Sequence, residues 1–361
     1  MCASVWHLFI LISILVYGFV ECNFIQNGEI MMVSGEVNNT KNGNAKVSFE
    51  QNVKCFKSKK EVLDQNVIYV YCPVGRELEI GDVIKDYSFD LVVNDYEIID
   101  LNDKVICHYE SASLDSSKRD FLVKATELGA WVEPLVSYLD SRLGYTEVRL
   151  LHSGYFLHQK AFSILSTKRT QLAKRVIDLV SSVILLLITL PITLITAFAI
   201  KMESNGPVFY RQKRTGQYNT QFEVIKFRSM SVDAEHGGAQ WASKNDARVT
   251  RVGKFIRKTR VDELPQIFNV LKGEMSIVGP RPEREVFITD LEKEIPYYRF
   301  RHAVKPGITG LAQVSYPYGA SVEDAVWKHK YDIFYIKHHS SWIDIKVLFM
   351  TVKVVLFGMG R

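Results

Sequence analysis

Cysteine is scarce in this chain, and all five residues, Cys2, Cys22, Cys55, Cys72 and Cys107, fall in its N-terminal half. They lack the paired spacing of a zinc site, and an odd, scattered set in a cytoplasmic module reads as free thiols. Export of that module would instead make pairing among Cys55, Cys72 and Cys107 plausible. No Gly-rich loop opens a helix there, which disfavours dinucleotide binding. The positive excess is small, +5 over 361 residues, which suits anionic lipid surfaces and nucleotide-sugars but is too weak to argue for nucleic acid. His338 and His339 are adjacent, so on a helix they would not converge on a metal. No Lys or Arg precedes the apolar run Val5 to Val20 and no small-x-small cleavage site follows it. That argues against a secretory signal and for a membrane anchor over residues 1–22.

What is abundant is apolar sequence, 47% of the chain. Leu179 to Ile200 is a run of about 22 residues, roughly 33 Å as a straight helix, just enough to span a hydrocarbon core. Its flanks argue otherwise. Lys174 and Arg175 precede it, Lys201, Arg211, Lys213 and Arg214 follow it, and the positive-inside rule draws both ends to the cytoplasmic face. Pro191, near the middle, removes a helix hydrogen bond and kinks the rod. We read residues 176–200 as a re-entrant hairpin; the competing reading is an ordinary spanning helix with a tolerated proline.

The stretch Thr259-Arg260-Val261-Asp262-Glu263-Leu264-Pro265-Gln266, followed by Gly279-Pro280-Arg281-Pro282, sets two adjacent carboxylates among cations. A carboxylate can attack phosphorus, but to approach an anionic substrate it needs nearby positive charge. Arg251, Lys254, Arg257, Lys258 and Arg260 precede the pair, and Arg281 and Arg284 follow it. Glu263 to Leu271 reads as a short helix with Asp262 at its start, Pro265 in the first turn and Gly273 past its end. Arg281, between two prolines, is offered from a stiff, extended segment. An N-cap aspartate with a solvated neighbour explains the dyad alone equally well.

Six ordered stretches weigh against that simpler reading: Lys174 to Asp178, Gly206 to Gln212, Lys226 to Met230, Arg257 to Gln266, Ser276 to Pro282 and Lys305 to Leu311. On these, the chain from about Lys174 onward resembles the bacterial sugar transferase family, the monotopic polyprenyl-phosphate phosphoglycosyltransferases. The resemblance implies transfer of a sugar 1-phosphate from a UDP-sugar donor to undecaprenyl phosphate, releasing UMP, as the first membrane step of exopolysaccharide or other surface-glycan assembly. It implies that Asp262 forms a covalent phosphosugar intermediate and that Glu263 helps to hold Mg2+. Arg257 and Arg281, with Lys226 and Arg228, would bind phosphate. It also implies a catalytic domain on the cytoplasmic face of the bacterial inner membrane, with Pro191 as the re-entrant kink. Family members often have Ser before that proline; Leu190 stands here. Long members often transfer glucose or galactose, so a hexose 1-phosphate is expected. Two rival readings stand beside it: a CDP-alcohol phosphotransferase, for which the series of aspartates along helices is missing, and a catalytically silent scaffold of a polysaccharide assembly complex.

The expected organisation is an α/β N-terminal module with a small parallel, Rossmann-like sheet, followed by a mainly α, membrane-associated catalytic domain. Strand-like runs at Val67 to Tyr71, Phe89 to Val93 and Ala130 to Pro134 alternate with helical stretches such as Ser116 to Glu127. This places the module at 66–152, a linker at 153–171 and the catalytic domain at 172–361. Residues 23–65, polar and Asn-rich, resist assignment and read as partly disordered. The segment Gly237 to Asp246 reads as a mobile loop beside the site. Ser321 with Asp324 forms a capping box for a helix carrying Lys328, Lys330, Tyr331, Asp332 and Tyr335. Trp342, Ile345, Leu348, Phe349 and Val352 recur at helical spacing, suiting an interfacial helix or a core helix alike. A homodimer through the N-terminal module is the remaining partner expectation.

Overall fold

The computed structural model describes residues 67–357 apart from 88, 97–103, 158–161, 167, 233, 235–245, 318 and 320. The proposed anchor at 1–22, the segment 23–65, Cys2, Cys22, Cys55 and nearly all of the expected loop at 237–246 lie outside the described residues.

The module begins with β1 (Val67–Tyr71), α1 (Glu77–Ile84), β2 (Asp90–Val93) and β3 (Val105–His108). It continues with α2 (Ser116–Glu127), β4 (Trp131–Pro134) and α3 (Leu135–Leu143). The four strands form one parallel sheet in the order β2-β1-β3-β4, with Val67 opposite Asp90, Tyr69 opposite Ile106 and Val105 opposite Trp131. The central strands are apolar on both faces because helices cover both: Ile68, Val70, Val105 and Cys107 pack with α1 and α3, while Tyr71 and Ile106 pack with α2. The Asp115 side chain accepts from Lys118 N to start α2. Strand β3, Val-Ile-Cys-His, is not among the runs expected from the sequence. Cys72 and Cys107 are buried free thiols, as expected.

The segment after the module is packed. Phe156 of the short helix α4 (Ser153–Leu157) and Phe162, just before α5 (Ser163–Ser166), pack against Phe300, with ring centroids 4.3 and 5.1 Å apart. Helix α6 (Lys168–Glu203) follows as a single 36-residue element with Pro191 inside it, starting earlier than the expected 176. Its middle is exposed and apolar at Leu187, Leu194, Ile195 and Phe198. No separate hairpin arms are delimited. Thr189 and Thr193 donate their hydroxyls to the carbonyls four residues back, so hydroxyls flank the proline although Leu190 supplies none; such back-bonding favours bending.

The antiparallel pair β5 (Phe209–Thr215) and β6 (Gln221–Phe227) leads to α7 (Arg251–Lys258). The helix expected over Glu263 to Leu271 is divided: a 3-10 turn, Val261–Glu263, precedes α8 (Gln266–Lys272). Pro265, at the N-cap rather than within the first turn, has no N–H with which to continue the turn. Gly273, at φ 91°, ends α8 as expected.

Strand β7 (Ser276–Val278) then pairs in parallel with β8 (Gly307–Thr309), with α9 (Glu285–Glu294) and a 3-10 turn, Tyr298–Ala303, between them. The backbones cross too closely for side chains: a Cβ on Gly307 would lie 2.1 Å from Gly279 N, and one on Gly310 2.2 Å from Gly279 O. After α10 (Leu311–Ser315) come α11 (Val322–His338) and α12 (Ser341–Phe357). The capping box at Ser321 and Asp324 is present. Helix α12 buries Val347 completely and exposes Trp342, so it serves the core on one side only. Module and catalytic half share a core: Ile333 of α11 lies in the same apolar cluster as Ile68, Val70 and Leu139.

Candidate active site

Both ends of α6 dock on the same globular body. At its start, Lys174 pairs with Asp344 at 2.9 Å, and Arg175 donates to the carbonyls of Val270 and Leu271 at the end of α8. One turn on, the buried Asp178 accepts from Ser276 Oγ and Ile277 N of β7. At the other end, Ile200 packs with Phe227 and Ile256, and Glu203 accepts from Val252 N at the start of α7. The two docking regions are themselves joined, since Asn269 of α8 bonds Ile225 N and Glu223 O of β6.

Arg228 completes the second docking region. It lines the cavity described below, but its guanidinium donates to the carbonyls of Ile200, Ser204 and Asn205 and to Ser204 Oγ, and the residue is 6% exposed. It caps the C-terminal end of α6, where carbonyls lack helical partners. Arg228, expected to bind phosphate, thus lines the cavity while its donors hold the helix end. Gly206, at φ 125°, makes room: a Cβ there would lie 2.2 Å from Arg228 Nη1.

Between these regions and helices α9 to α11 lies a cavity of about 510 Å3. Arg214, Lys226, Arg228, Arg248, Arg257, Arg260, Arg281, Arg284, Arg301 and Lys328 line it, against two carboxylates, Asp262 and Glu283, among the described residues. Such a surplus of fixed positive charge suits a polyanion. Apolar residues occupy both ends: Phe209, Phe227 and Met230 beside the end of α6, and Phe287, Leu291 and Ala325 between α9 and α11.

Asp262 sits in the 3-10 turn, 9% exposed. Arg260, which opens that turn, has φ 59°, an uncommon conformation for a residue with a side chain, and it brings the Asp262-Glu263 pair against β6. Glu263 Oε1 accepts from Lys226 Nζ at 2.8 Å and Arg281 Nη2 at 2.9 Å. The pair is thereby divided electrostatically. Burial works to raise the Glu263 pKa, but Arg281 and Lys226 outweigh it and hold the carboxyl well below the ordinary range. Burial and the adjacent Glu263 charge push Asp262 upward, against the pull of Lys226, Arg260 and Arg257. Lys226 is itself lowered by burial, with Glu263 opposing.

Arg281 comes from a segment fixed on three successive carbonyls. Arg301 Nη2 donates to Arg281 O, Arg214 Nη1 to Pro282 O and Thr215 N to Glu283 O. The structure thus brings together Asp262, Glu263, Lys226, Arg257 and Arg281, while Pro191 belongs to the membrane-seeking helix. Arg301, paired with Asp332 at 2.7 Å and buried, was missed from the sequence, as was Arg248. Both stand outside the recognised motifs, and only the fold returns them to the cavity. Of the α11 polar residues, Lys328 lines the cavity; Lys330 and Asp332 are buried in ion pairs. His338 and His339 pair with Asp140 and Asp344. No group of three or more His, Cys, Asp or Glu side chains able to hold a metal occurs among the described residues.

The family model for bacterial sugar transferases matches residues 169–358. The chain is 47% identical over 205 residues to UDP-N-acetylgalactosamine-undecaprenyl-phosphate N-acetylgalactosaminephosphotransferase of Aeromonas hydrophila, covering 56% of this chain and 48% of that protein. It is 48% identical over 187 residues to UDP-glucose:undecaprenyl-phosphate glucose-1-phosphate transferase of Xanthomonas campestris pv. campestris, covering 51% and 39%. A Caulobacter vibrioides protein of the same glucose-1-phosphate transferase name is 40% identical over 187 residues, covering 51% of this chain and 70% of its own length. The chain therefore spans about half or less of the first two relatives. With the family model covering more than half of its residues, the chain belongs to the bacterial sugar transferase family.

Proposed function

We propose that this protein is an undecaprenyl-phosphate sugar phosphotransferase that moves a sugar 1-phosphate from a UDP-sugar to undecaprenyl phosphate. The observation that carries the reading is Asp262, a buried carboxylate in a cavity lined by cations, beside a partner whose charge is already neutralised. Asp262 Oδ attacks the sugar-bearing phosphorus, the bond from that phosphorus to the bridging oxygen breaks, and UMP leaves with the electron pair. An oxygen of undecaprenyl phosphate then attacks the acyl phosphate, releasing the Asp262 carboxylate and giving undecaprenyl diphosphate-sugar. Lys226, Arg257 and Arg281 offset the charge that would otherwise repel both anions. The relatives' names divide between N-acetylgalactosamine and glucose donors, so the expected hexose is tested rather than assumed.

Mg2+ fits this site on condition that the donor is present. Glu263 already carries Lys226 and Arg281 on Oε1, so a dication arriving alone would meet two cations, whereas a diphosphate supplies the missing negative charge and oxygen ligands. When bound, the metal would neutralise charge on the diphosphate.

Helix α6 is proposed to be re-entrant, in the cytoplasmic membrane, with the catalytic domain on the cytoplasmic face. Support comes from the docking of both helix ends on one body, where a spanning helix would carry its ends to opposite faces. Cysteines placed at the exposed Arg169 and Met202 should both react with a membrane-impermeant reagent applied from the cytoplasmic side; reaction from opposite sides would refute the topology.

The deciding experiment is UMP release from a panel of UDP-sugars by the full chain in nanodiscs with Mg2+ and undecaprenyl phosphate. Release with at least one donor, abolished in Asp262→Asn, is expected. Release undiminished in Asp262→Asn would remove the covalent mechanism, and silence across the panel would favour the scaffold reading.

A further inference from the structure

Glu283 is the acid that the reaction above leaves unused. A carboxylate in a cavity for a polyanion opposes binding unless it meets hydrogen-bond donors on the ligand. On a nucleotide-sugar those donors are chiefly the hydroxyls of its two carbohydrate rings. Arg281 lies between Pro280 and Pro282 and Glu283 follows at once, so the two charged residues are two apart, a spacing that on an extended segment puts side chains on one side about 7 Å apart. Both line the cavity. The fixed carbonyls of 281, 282 and 283 hold that spacing. The Glu283 carboxylate also faces the charges of Arg301 and Lys328, but its hydrogen bond to Arg214 is long, with Nη1 3.5 Å from Oε2 while Nη2 lies 2.6 Å from Gln212 Oε1.

We propose that Glu283 is a specificity-determining residue whose carboxylate accepts hydroxyl hydrogens from the carbohydrate next to the phosphate that Arg281 binds. This rests on the UDP-sugar reading of the site. The hydroxyls belong to the transferred sugar or to the ribose, and one set of measurements distinguishes the two.

The full-length protein in nanodiscs is compared as wild type, Glu283→Gln and Glu283→Asp. UMP release is followed across the UDP-sugar panel, and the affinities of UMP and 2′-deoxy-UMP are measured by calorimetry, which needs no turnover. Loss of a charged acceptor should lower kcat/KM for the preferred donor about 10- to 100-fold. If the contact is to the sugar, the preference among donors flattens in Glu283→Gln while UMP affinity holds. If it is to the ribose, UMP loses its advantage over 2′-deoxy-UMP while donor ranking is kept. Glu283→Asp should retain part of whichever discrimination is lost. The proposal is overturned if donor ranking and the UMP to 2′-deoxy-UMP ratio both stay as in wild type, whatever happens to the absolute rate. It is equally overturned if both nucleotides bind more tightly to Glu283→Gln, as simple removal of a repulsive charge would require. A wild type that binds UMP yet turns over no donor refutes the transferase reading separately, and the nucleotide ratio still decides the ribose contact.

Discussion

At the scale of the residue, the division between Asp262 and Glu263 is the chemistry. Two adjacent carboxylates would ordinarily titrate as near equals, but Lys226 and Arg281 both converge on Glu263 Oε1. Asp262 is buried without such close pairing, and its pKa is raised by burial and by Glu263. A raised carboxyl pKa means that the ionised form is disfavoured in the folded protein. Asp262→Asn removes that penalty along with the nucleophile. We therefore expect a variant with no UMP release that unfolds no earlier than wild type, checked by thermal unfolding of both proteins in the same nanodiscs at pH 7. Activity and stability would then trade in opposite directions at one side chain. A markedly lowered melting temperature would mean that Asp262 is a structural anion. The dyad and its cations could be read from the sequence because all lie within short, recognisable stretches. Which carboxylate takes the cations could not, because Lys226 is 37 residues from Glu263.

At the scale of the element, α6 is held by groups that the sequence assigned to other tasks. Arg228 stood in a motif among phosphate-binding cations, yet three carbonyls at the end of α6 take its donors. Arg228→Ala would leave those carbonyls without their partner in a region 6% exposed at the arginine. The expected cost is about 2–4 kcal/mol, seen as a lowered unfolding midpoint, with UMP release falling as the end of α6 loosens beside the cavity. Arg228→Lys should recover little, because one ammonium cannot replace a planar fork reaching several carbonyls. Unchanged stability in Arg228→Ala with lost activity would favour phosphate binding over helix anchoring. A guanidinium binds a carbonyl cluster and a phosphate with the same donors, and sequence does not say which acceptor is nearer.

At the scale of the whole molecule, the α/β module is bound to the catalytic half through charge as well as apolar packing. Glu147, just beyond α3, meets Lys330 of α11 at 2.8 Å and Arg149 at 3.0 Å; Asp140 of α3 meets Lys337 at 2.9 Å. Burial raises the Glu147 pKa, but bonds from Arg149, Lys330 and Tyr87 more than offset it and bring the group from 4.5 down to about 2. For a depressed carboxyl the stabilisation is complete above the unfolded value near 4.5 and is lost as pH falls through the folded value near 2. The shift corresponds to about 3 kcal/mol. Glu147→Gln should therefore be less stable than wild type at pH 7, with the gap closing as pH is lowered from about 5 toward 2. A gap independent of pH would assign the loss to packing.

The sequence by itself determined the elements whose signals are local. It fixed β1, the helix Ser116–Glu127, the capping box at Ser321, the glycine that ends α8 and the apolar character of α6, because period, caps and turn chemistry act over a few residues. It also carried the family, through six motifs spread over half the chain. Only the tertiary structure decided that Arg228 holds a helix end, that the segment before α6 belongs to an aromatic core, and that Glu263 and Asp262 have different electrostatic surroundings. It alone returned Arg301 and Glu283 to the cavity. Those outcomes depend on which groups meet across tens to hundreds of residues, and burial and charge pairing at such distances come into being only when the chain has folded.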